Sequence, residues 1–283
     1  MSGKLSEVES RIGTVHQLES VITAMRGSAA ARSHEAKSRL VAIQAYAAAV
    51  GGAIGEALAL AQASGPPVHP HANPAGHSVI ALCTEQGFAG SFNERVLEAA
   101  GKHLAEQGAE LLVVGNRGTM VAAERGLAVT WSTPMIAHAD EVPRLADHIS
   151  EAIYSRLEKN QTRRATVVHA LPAASGCIVL ERTLLPFDFA RFKAKPLAIP
   201  PLITLPAEQL LLELAEEYVY AELCEELMLS FAAENEARMR AMIAARSNVA
   251  HKLDELVGSF RRLRQDEITD EIIELSAGSS AAG

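Results

Sequence analysis

The sequence predicts an α/β domain of Rossmann-like type inserted between two long helices that pair as an antiparallel coiled coil. Three observations carry this. Both ends of the chain place apolar residues in steps of three and four. The middle alternates short apolar runs with amphipathic stretches. Two proline-rich segments, 64–76 and 196–206, separate the middle from the ends.

The first element covers residues 4–62. Steps of three and four from Val8 reach Ile12, Val15, Glu19, Ile22, Met25, Ala29, Arg32, Ala36, Arg39, Ile43, Tyr46 and Val50, an apolar track with three charged exceptions. Gly27, Gly51, Gly52 and Gly55 weaken the helix and mark bends or close contacts. "SGPPVHPHANPAG" then ends it, with four prolines in thirteen residues.

From residue 78 the pattern changes. "SVIALC" reads as a buried strand, "NERVLEAAGKHLAEQG" as an amphipathic helix and "AELLVVG" as a second strand. "GTMVAAERG" reads as a short helix and "LAVTW" as a third strand. A longer helix follows in "DEVPRLADHISEAIYSRLEKN". "ATVVHAL" and "GCIVLERTLLP" are strands joined too tightly for a crossover, so they form a hairpin. Alternating strands and helices favour a mainly parallel sheet. Beyond "PLAIPPLITLP", residues 207–276 hold no proline, and Gly258 is their only glycine. Uninterrupted, that stretch makes a helix of roughly 100 Å. Its track is Met239, Met242, Arg246, Val249, Leu253, Leu256, Phe260 and Leu263. So long a helix needs a partner, and the N-terminal helix is available. The expected boundaries are 1–62 for the N-terminal helix, 63–77 and 196–206 for linkers, 78–195 for the α/β domain, 207–276 for the C-terminal helix and 277–283 for a tail.

Composition narrows the function. The net charge of −8 argues against a nucleic-acid binder that works through a basic surface. Three scattered cysteines, Cys83, Cys177 and Cys224, fit no metal or redox spacing. The N-terminus shows no secretory signal core, and no run of about twenty uncharged apolar residues occurs. Charge on the C-terminal helix is zoned: acidic from Glu208 to Glu236, mainly basic from Arg238 to Arg264, and acidic from Asp266 to Glu274. Such zones are either a solvated surface or faces for different partners.

Two glycine loops follow strands, "TEQGFAGSFN" (84–93) and "VVGNRGTM" (113–120). Neither has the lysine of a phosphate-binding P-loop or the full dinucleotide spacing, so both read as strand–helix turns. His69 and His71 with His77 are the metal candidates, but no thiol or carboxylate accompanies them, and a casual cluster is the simpler reading. The residues support no catalytic, cofactor or metal site.

The two ends and the first glycine loop together resemble the gamma subunit of F-type ATP synthases. The family stretch I-T-x-A-M-K is matched by Ile22, Thr23, Ala24 and Met25, with Arg26 for the lysine, followed by Ala29 to Ala31 and Arg32. Its S-D-x-G-L-C-G-x-F-N is similar to 84–93, with Gly87, Gly90, Phe92 and Asn93 in register. Its G-x-K-G is similar to Gly115–Gly118. Its C-terminal block is matched by Arg264, Gln265, Ile268, Thr269, Glu271, Ile272, Glu274, Leu275 and Gly278. The resemblance spans the chain. Departures are Ala89 for the loop cysteine, Glu85 for its aspartate, Arg261 for a common asparagine, and a mixed "SHEAKSR" after the alanines. They point to a divergent branch, of the sodium-type N-ATPase kind.

The resemblance implies a rotor with no catalytic centre or cofactor of its own. The coiled coil passes through a ring of alpha and beta subunits. The α/β foot domain, with the epsilon subunit, docks on the membrane c-ring, so membrane association on the cytoplasmic face of the bacterial inner membrane is indirect. Met25, Arg26, Arg264, Gln265, Ile268 and Thr269 are the implied contacts to the ring, and Gly87, Gly90, Asn93, Gly115 and Gly118 the turn residues of the foot. The implied function is transmission of torque between c-ring and beta subunits, coupling ATP synthesis or hydrolysis to proton or sodium transport. Two other readings stand beside it: a stand-alone coiled-coil adaptor with an α/β head, and a small enzyme that binds a nucleotide on the glycine loops.

Overall fold

The computed structural model describes residues 2–62, 76–173, 176–195 and 202–281. The elements in order are α1 (Ser2–Gln62), β1 (His77–Leu82), α2 (Phe92–His103), β2 (Ala109–Val114), α3 (Asn116–Glu124), β3 (Val129–Thr133), α4 (Val142–Glu158), β4 (Arg164–Ala173), β5 (Gly176–Leu185) and α5 (Ala207–Ala281). Single 3-10 turns occupy Ala139–Glu141 and Phe189–Arg191. Helix α5 continues through Gly278, where a tail was expected. Most of the two proline-rich segments, including His69 and His71, lies outside the described residues.

The chain divides into two compact units. One is residues 30–238; the other pairs 1–29 with 239–283.

In the larger unit the five strands are ordered β3-β2-β1-β4-β5. The pairs β1–β2, β1–β4 and β2–β3 are parallel, and β4–β5 is the expected antiparallel hairpin. Strand alternation sends β1 side chains to two cores. Val79, Ala81 and Cys83 pack under α2 and α3, with Phe92, Val96 and Val121. Ile80 and Leu82 pack under α4 and α5, with Ile149, Leu223 and Phe231. The result is three layers, helices on both faces of the sheet. A smaller core joins Val50, Ile54, Ala57 and Ala61 of α1 to Leu211 and the rings of Phe187, Phe189, Phe192 and Tyr218. Gly55 permits the close approach there, since a Cβ would lie 2.8 Å from the Lys193 carbonyl. Helix α1 is long and apolar enough to cross a membrane by length and composition alone, but Val50, Ile54, Ala57 and Ala61 of it are buried in the protein's own core.

The pairing of α1 with α5 is antiparallel. In the larger unit Lys37 bonds Glu236, Gln44 donates to Glu225 at 2.9 Å, and Tyr46 bonds Glu217, so each step up α1 is a step down α5. The expected track of α1 holds at Ala29, Ala36, Ile43 and Val50 and gives way to the adjacent one at three positions between them. Ser33 and Ala47 are buried and Leu40 is packed on the core, while Arg39 and Tyr46 are exposed and Arg32 is half-buried. Steps of three and four are satisfied by adjacent tracks. Burying a serine hydroxyl, a leucine and an alanine costs far less than burying two guanidinium groups.

In the smaller unit Ile22, Met242 and Val249 are buried together, with Val15, Met25, Ala241 and Ala245 packed against them. Ala245 takes the place expected for Arg246, which lies beside the seam with its Nε 3.5 Å from Glu19. Leu253, Leu256, Phe260 and Leu263 are half-buried, continuing the track.

Candidate functional site: glycine loops and partner surfaces

The first glycine loop begins where β1 ends. Asn93, at the start of α2, closes it. Its Oδ1 accepts from the Thr84 amide and its Nδ2 donates to the Thr84 hydroxyl, both at 2.9 Å. Glu85 reaches across to the second loop. Its carboxylate accepts from the Asn116 amide at 3.1 Å, the Asn116 side chain at 2.5 Å and the Met135 amide at 2.8 Å. An anion belonging to the protein thus already sits at the N-terminus of α3, where a phosphate would otherwise be drawn by unpaired amides and the helix dipole.

The first loop is also wrong in polarity for a phosphate. The carbonyls of Gln86 and Gly87 accept from Arg238 of α5, each at 3.3 Å. Arg238 further donates to Asn235 at 3.1 Å and pairs with Glu234 at 2.5 Å. All three are buried. Burial raises the Glu234 carboxyl to about 7 against the pull of Arg238. The loop is therefore tied to α5 by a guanidinium, and Arg238 leaves the basic surface zone in which the charge pattern had placed it. Phe88, at φ 64°, projects to solvent.

The glycines divide into two kinds. Gly118 lies so close to β1 that a Cβ there would overlap the Cβ of Cys83. Gly115 combines a φ of +106° with a Cβ position 2.5 Å from the Thr84 carbonyl. At Gly87 and Gly90, by contrast, an added Cβ would meet nothing within 4 Å; Gly90 is there for its φ of +61°.

Part of the acidic zone of α5 is also internal: Glu222, Glu226 and Glu234 are buried, while Glu208, Glu213, Glu216 and Glu217 are exposed. Arg182 of β5 pairs with Glu222 at 2.8 Å and Glu226 at 3.0 Å, and Arg191 bonds Glu222 as well. Glu222 and Glu226 are almost wholly buried. Burial drives the Glu226 carboxyl well above its ordinary range, with Arg182 opposing. Buried carboxylates must be paired, which is why two arginines converge here.

The implied ring contacts fall in two places, both in the smaller unit. Met25 packs on the Ile22–Met242 seam, and Arg26 is half-buried beside it. Arg264, Gln265, Ile268 and Thr269 are exposed on α5, where the Thr269 hydroxyl donates to the Gln265 carbonyl at 2.8 Å. Met242 and Arg264 are about 33 Å apart at 1.5 Å per helical residue, so these are separate surfaces. Arg238 and Glu85 were missed as organising residues. The strand–glycine–helix pattern pointed to the loop, but nothing local showed what filled it.

Known proteins share this architecture. A family model described as ATP synthase matches residues 4–282, and the chain belongs to that family. Relatives over nearly full length are ATP synthase gamma chains. That of Bdellovibrio bacteriovorus is 25% identical, covering 98% of each chain. That of Frankia casuarinae is 29% identical, covering 99% of this chain and 98% of its own. Among solved structures, a chain from the Euglena gracilis mitochondrial ATP synthase rotor superposes with a TM-score of 0.66 at 11% identity, over 95% of this chain and all of that one. A second Euglena gracilis chain, from the OSCP/F1/c-ring assembly, gives 0.68 at 10% identity, over 99% and 95%.

Proposed function

We propose that this chain is the central-stalk rotor, the gamma subunit, of a bacterial F-type ATP synthase. The observation that carries the reading is the combination of terminal helices pairing in antiparallel around an inserted α/β domain with a family match that runs from residue 4 to residue 282. A stand-alone adaptor accounts for the paired helices and not for that match.

On this reading the chain performs no bond chemistry. Its two helices present different side chains at different azimuths, so a turning stalk offers each catalytic subunit of a surrounding alpha–beta ring a different surface. Each surface biases the open–closed equilibrium of the subunit it meets, and the bias is a coupling free energy between stalk angle and nucleotide affinity. The exposed Arg264 and Gln265 can donate hydrogen bonds to carboxylates or carbonyls of a collar around α5. Exposed Ile268, an apolar side chain left open to solvent, suits the same contact. The α/β domain serves as the foot on the epsilon subunit and c-ring, which places the chain peripherally on the cytoplasmic face of the inner membrane. Glu85 at the α3 N-terminus and Arg238 under the first loop fit a domain that takes no nucleotide.

The test is capture of the tagged chain from native membranes, with alpha, beta, epsilon and c subunits recovered together. Their absence, or micromolar ATP binding by the isolated chain in calorimetry, removes the rotor reading. A sharper test changes Arg264 and Gln265 together to Ala. Assembly should persist, hydrolysis should change several-fold and ion pumping should fall. Unchanged rates in both assays exclude these two residues from coupling while leaving the family assignment in place.

A further inference from the structure

At the opposite end of the parallel strands from the glycine loops, three side chains converge from separate elements. His77 opens β1, His103 ends α2, and Glu106 lies in the turn that follows. One ligand atom from each lies within 4.8 Å of the others. Glu106 stands 3.4 Å from His77 Nδ1 and 3.8 Å from His103 Nδ1.

We infer that His77, His103 and Glu106 form a three-ligand site for a divalent transition-metal ion of the zinc class.

The hydrogen bonding of the two imidazoles is the independent support. His77 Nε2 lies 2.9 Å from the Thr166 hydroxyl, and His103 Nε2 lies 2.9 Å from the Glu181 carboxylate. Each ring's Nε2 is thus engaged by an oxygen from the β4–β5 hairpin. With the proton on that nitrogen, the Nδ1 lone pairs of both rings face Glu106. Metal-binding histidines are oriented in this way, by an oxygen acceptor on the nitrogen that does not bind the metal. Two imidazoles and a carboxylate leave a fourth position for water, a donor set suited to zinc. Bound ligand atoms sit about 3.4 Å apart in such a site. The contraction needed is on the order of 1 Å, and the partly exposed side chains of His103 and Glu106 can supply it.

A cation already uses this position. Arg164 pairs across the sheet with His77, places Nη2 2.7 Å from His77 Nδ1, and bonds Glu106. Its Nε has no hydrogen-bond partner, and a cleft of about 150 Å³ adjoins it. A metal ion would compete with this guanidinium and displace it into the cleft. The inferred ion ties β1 to the end of α2 and so stabilises the α/β domain.

The experiment titrates Zn²⁺ into the metal-free full-length chain by calorimetry with chelator competition, with folding of each variant checked by circular dichroism. One equivalent should bind. His103→Ala and Glu106→Gln should each weaken binding at least tenfold. Arg164→Ala should strengthen it, because the competing cation is gone. The linker variant His69→Ala with His71→Ala should bind as the parent does. Excess Zn²⁺ should raise the unfolding temperature of the parent and not of His103→Ala. No binding by the folded parent overturns the inference. So does binding that survives both His103→Ala and Glu106→Gln, binding lost with the linker histidines, or weaker binding by Arg164→Ala.

Discussion

Helices α1 and α5 each run through two different environments. Within residues 30–238, α5 lies under the sheet and buries charged as well as apolar groups: Glu222, Glu226, Glu234 and Arg238 along with Leu223, Leu227 and Phe231. From residue 239 onward only Met242 and Val249 of α5 are buried among the described residues, and on the α1 side Ile22 and Ala29. The first region is held by a broad interface with ion pairs inside it. The second is held by a narrow seam, and Ile243, Ile268 and Ile272 remain exposed beside it. A helix pair with so little internal burial leaves most of its surface open, whereas the α/β region spends its surface on itself. The sequence motifs that resemble ring contacts all lie in the thin region.

Substitutions can break or sharpen this contrast. The largest effect is expected for Arg238→Ala, which strands Glu234 and the loop carbonyls in a buried site. A loss of about 3–5 kcal/mol is expected in urea unfolding, with partial recovery when Glu234→Gln is added. A loss below about 1 kcal/mol would mean that the buried pair does not anchor the loop.

Next comes the seam. Leu253→Asp with Leu256→Asp should cost about 2 kcal/mol, placing two carboxylates on half-buried positions. The loss should be local: helical circular dichroism falls while the fluorescence of Trp131, the single tryptophan and a residue of β3, is unchanged. Simultaneous loss of both signals would erase the distinction between the two regions.

A pH effect should belong to the α/β region alone. His169 is buried in β4 with neither ring nitrogen hydrogen-bonded, and burial followed by Arg182 lowers its pKa to about 4. The folded state therefore takes up the proton later than the unfolded state. The stability is fully present above the unfolded value of about 6.5 and is lost as pH falls toward 4. His169→Leu should flatten that part of the stability curve by about 1–3 kcal/mol relative to the parent. Equal slopes in parent and variant would exclude His169 as the source.

The smallest effect is expected at the glycine loops. Gly87→Ala should stay within about 0.5 kcal/mol, because nothing meets the added methyl, while Gly118→Ala should cost several times more by colliding with Cys83. Equal costs at the two positions would contradict the division between them.

Much of this architecture was legible in the sequence, because it is set by periodicity. Short apolar runs and three-four steps located every strand and α-helix of the described residues, and the tight β4–β5 link fixed the hairpin. The errors have one cause: a sequence shows charges without their partners. Arg32, Arg39 and Arg246 satisfied the spacing of the tracks, yet Ser33, Leu40 and Ala245 take the seam because neighbouring tracks share the period. Glu222, Glu226 and Glu234 read as part of an acidic zone, solvated or turned to partners, since the arginines that pair with the first two, Arg182 and Arg191, are far away in sequence. His77 was grouped with the nearby linker histidines, whereas parallel strand order sets it against His103, Glu106 and Arg164.

The buried arginine–glutamate contacts of α5 have a consequence for how that helix moves. Apolar contacts are non-directional, and a smooth apolar face lets a helix roll about its own axis at little cost. Hydrogen-bonded charges have fixed directions. Arg182 and Arg191 both hydrogen-bond Glu222 of α5, and the Arg238 side chain grips the glycine loop about four turns further on. Two grips separated along one cylinder set its azimuth against the sheet and resist twist between them, so within residues 30–238 the helix is keyed to the domain like a spline in a hub.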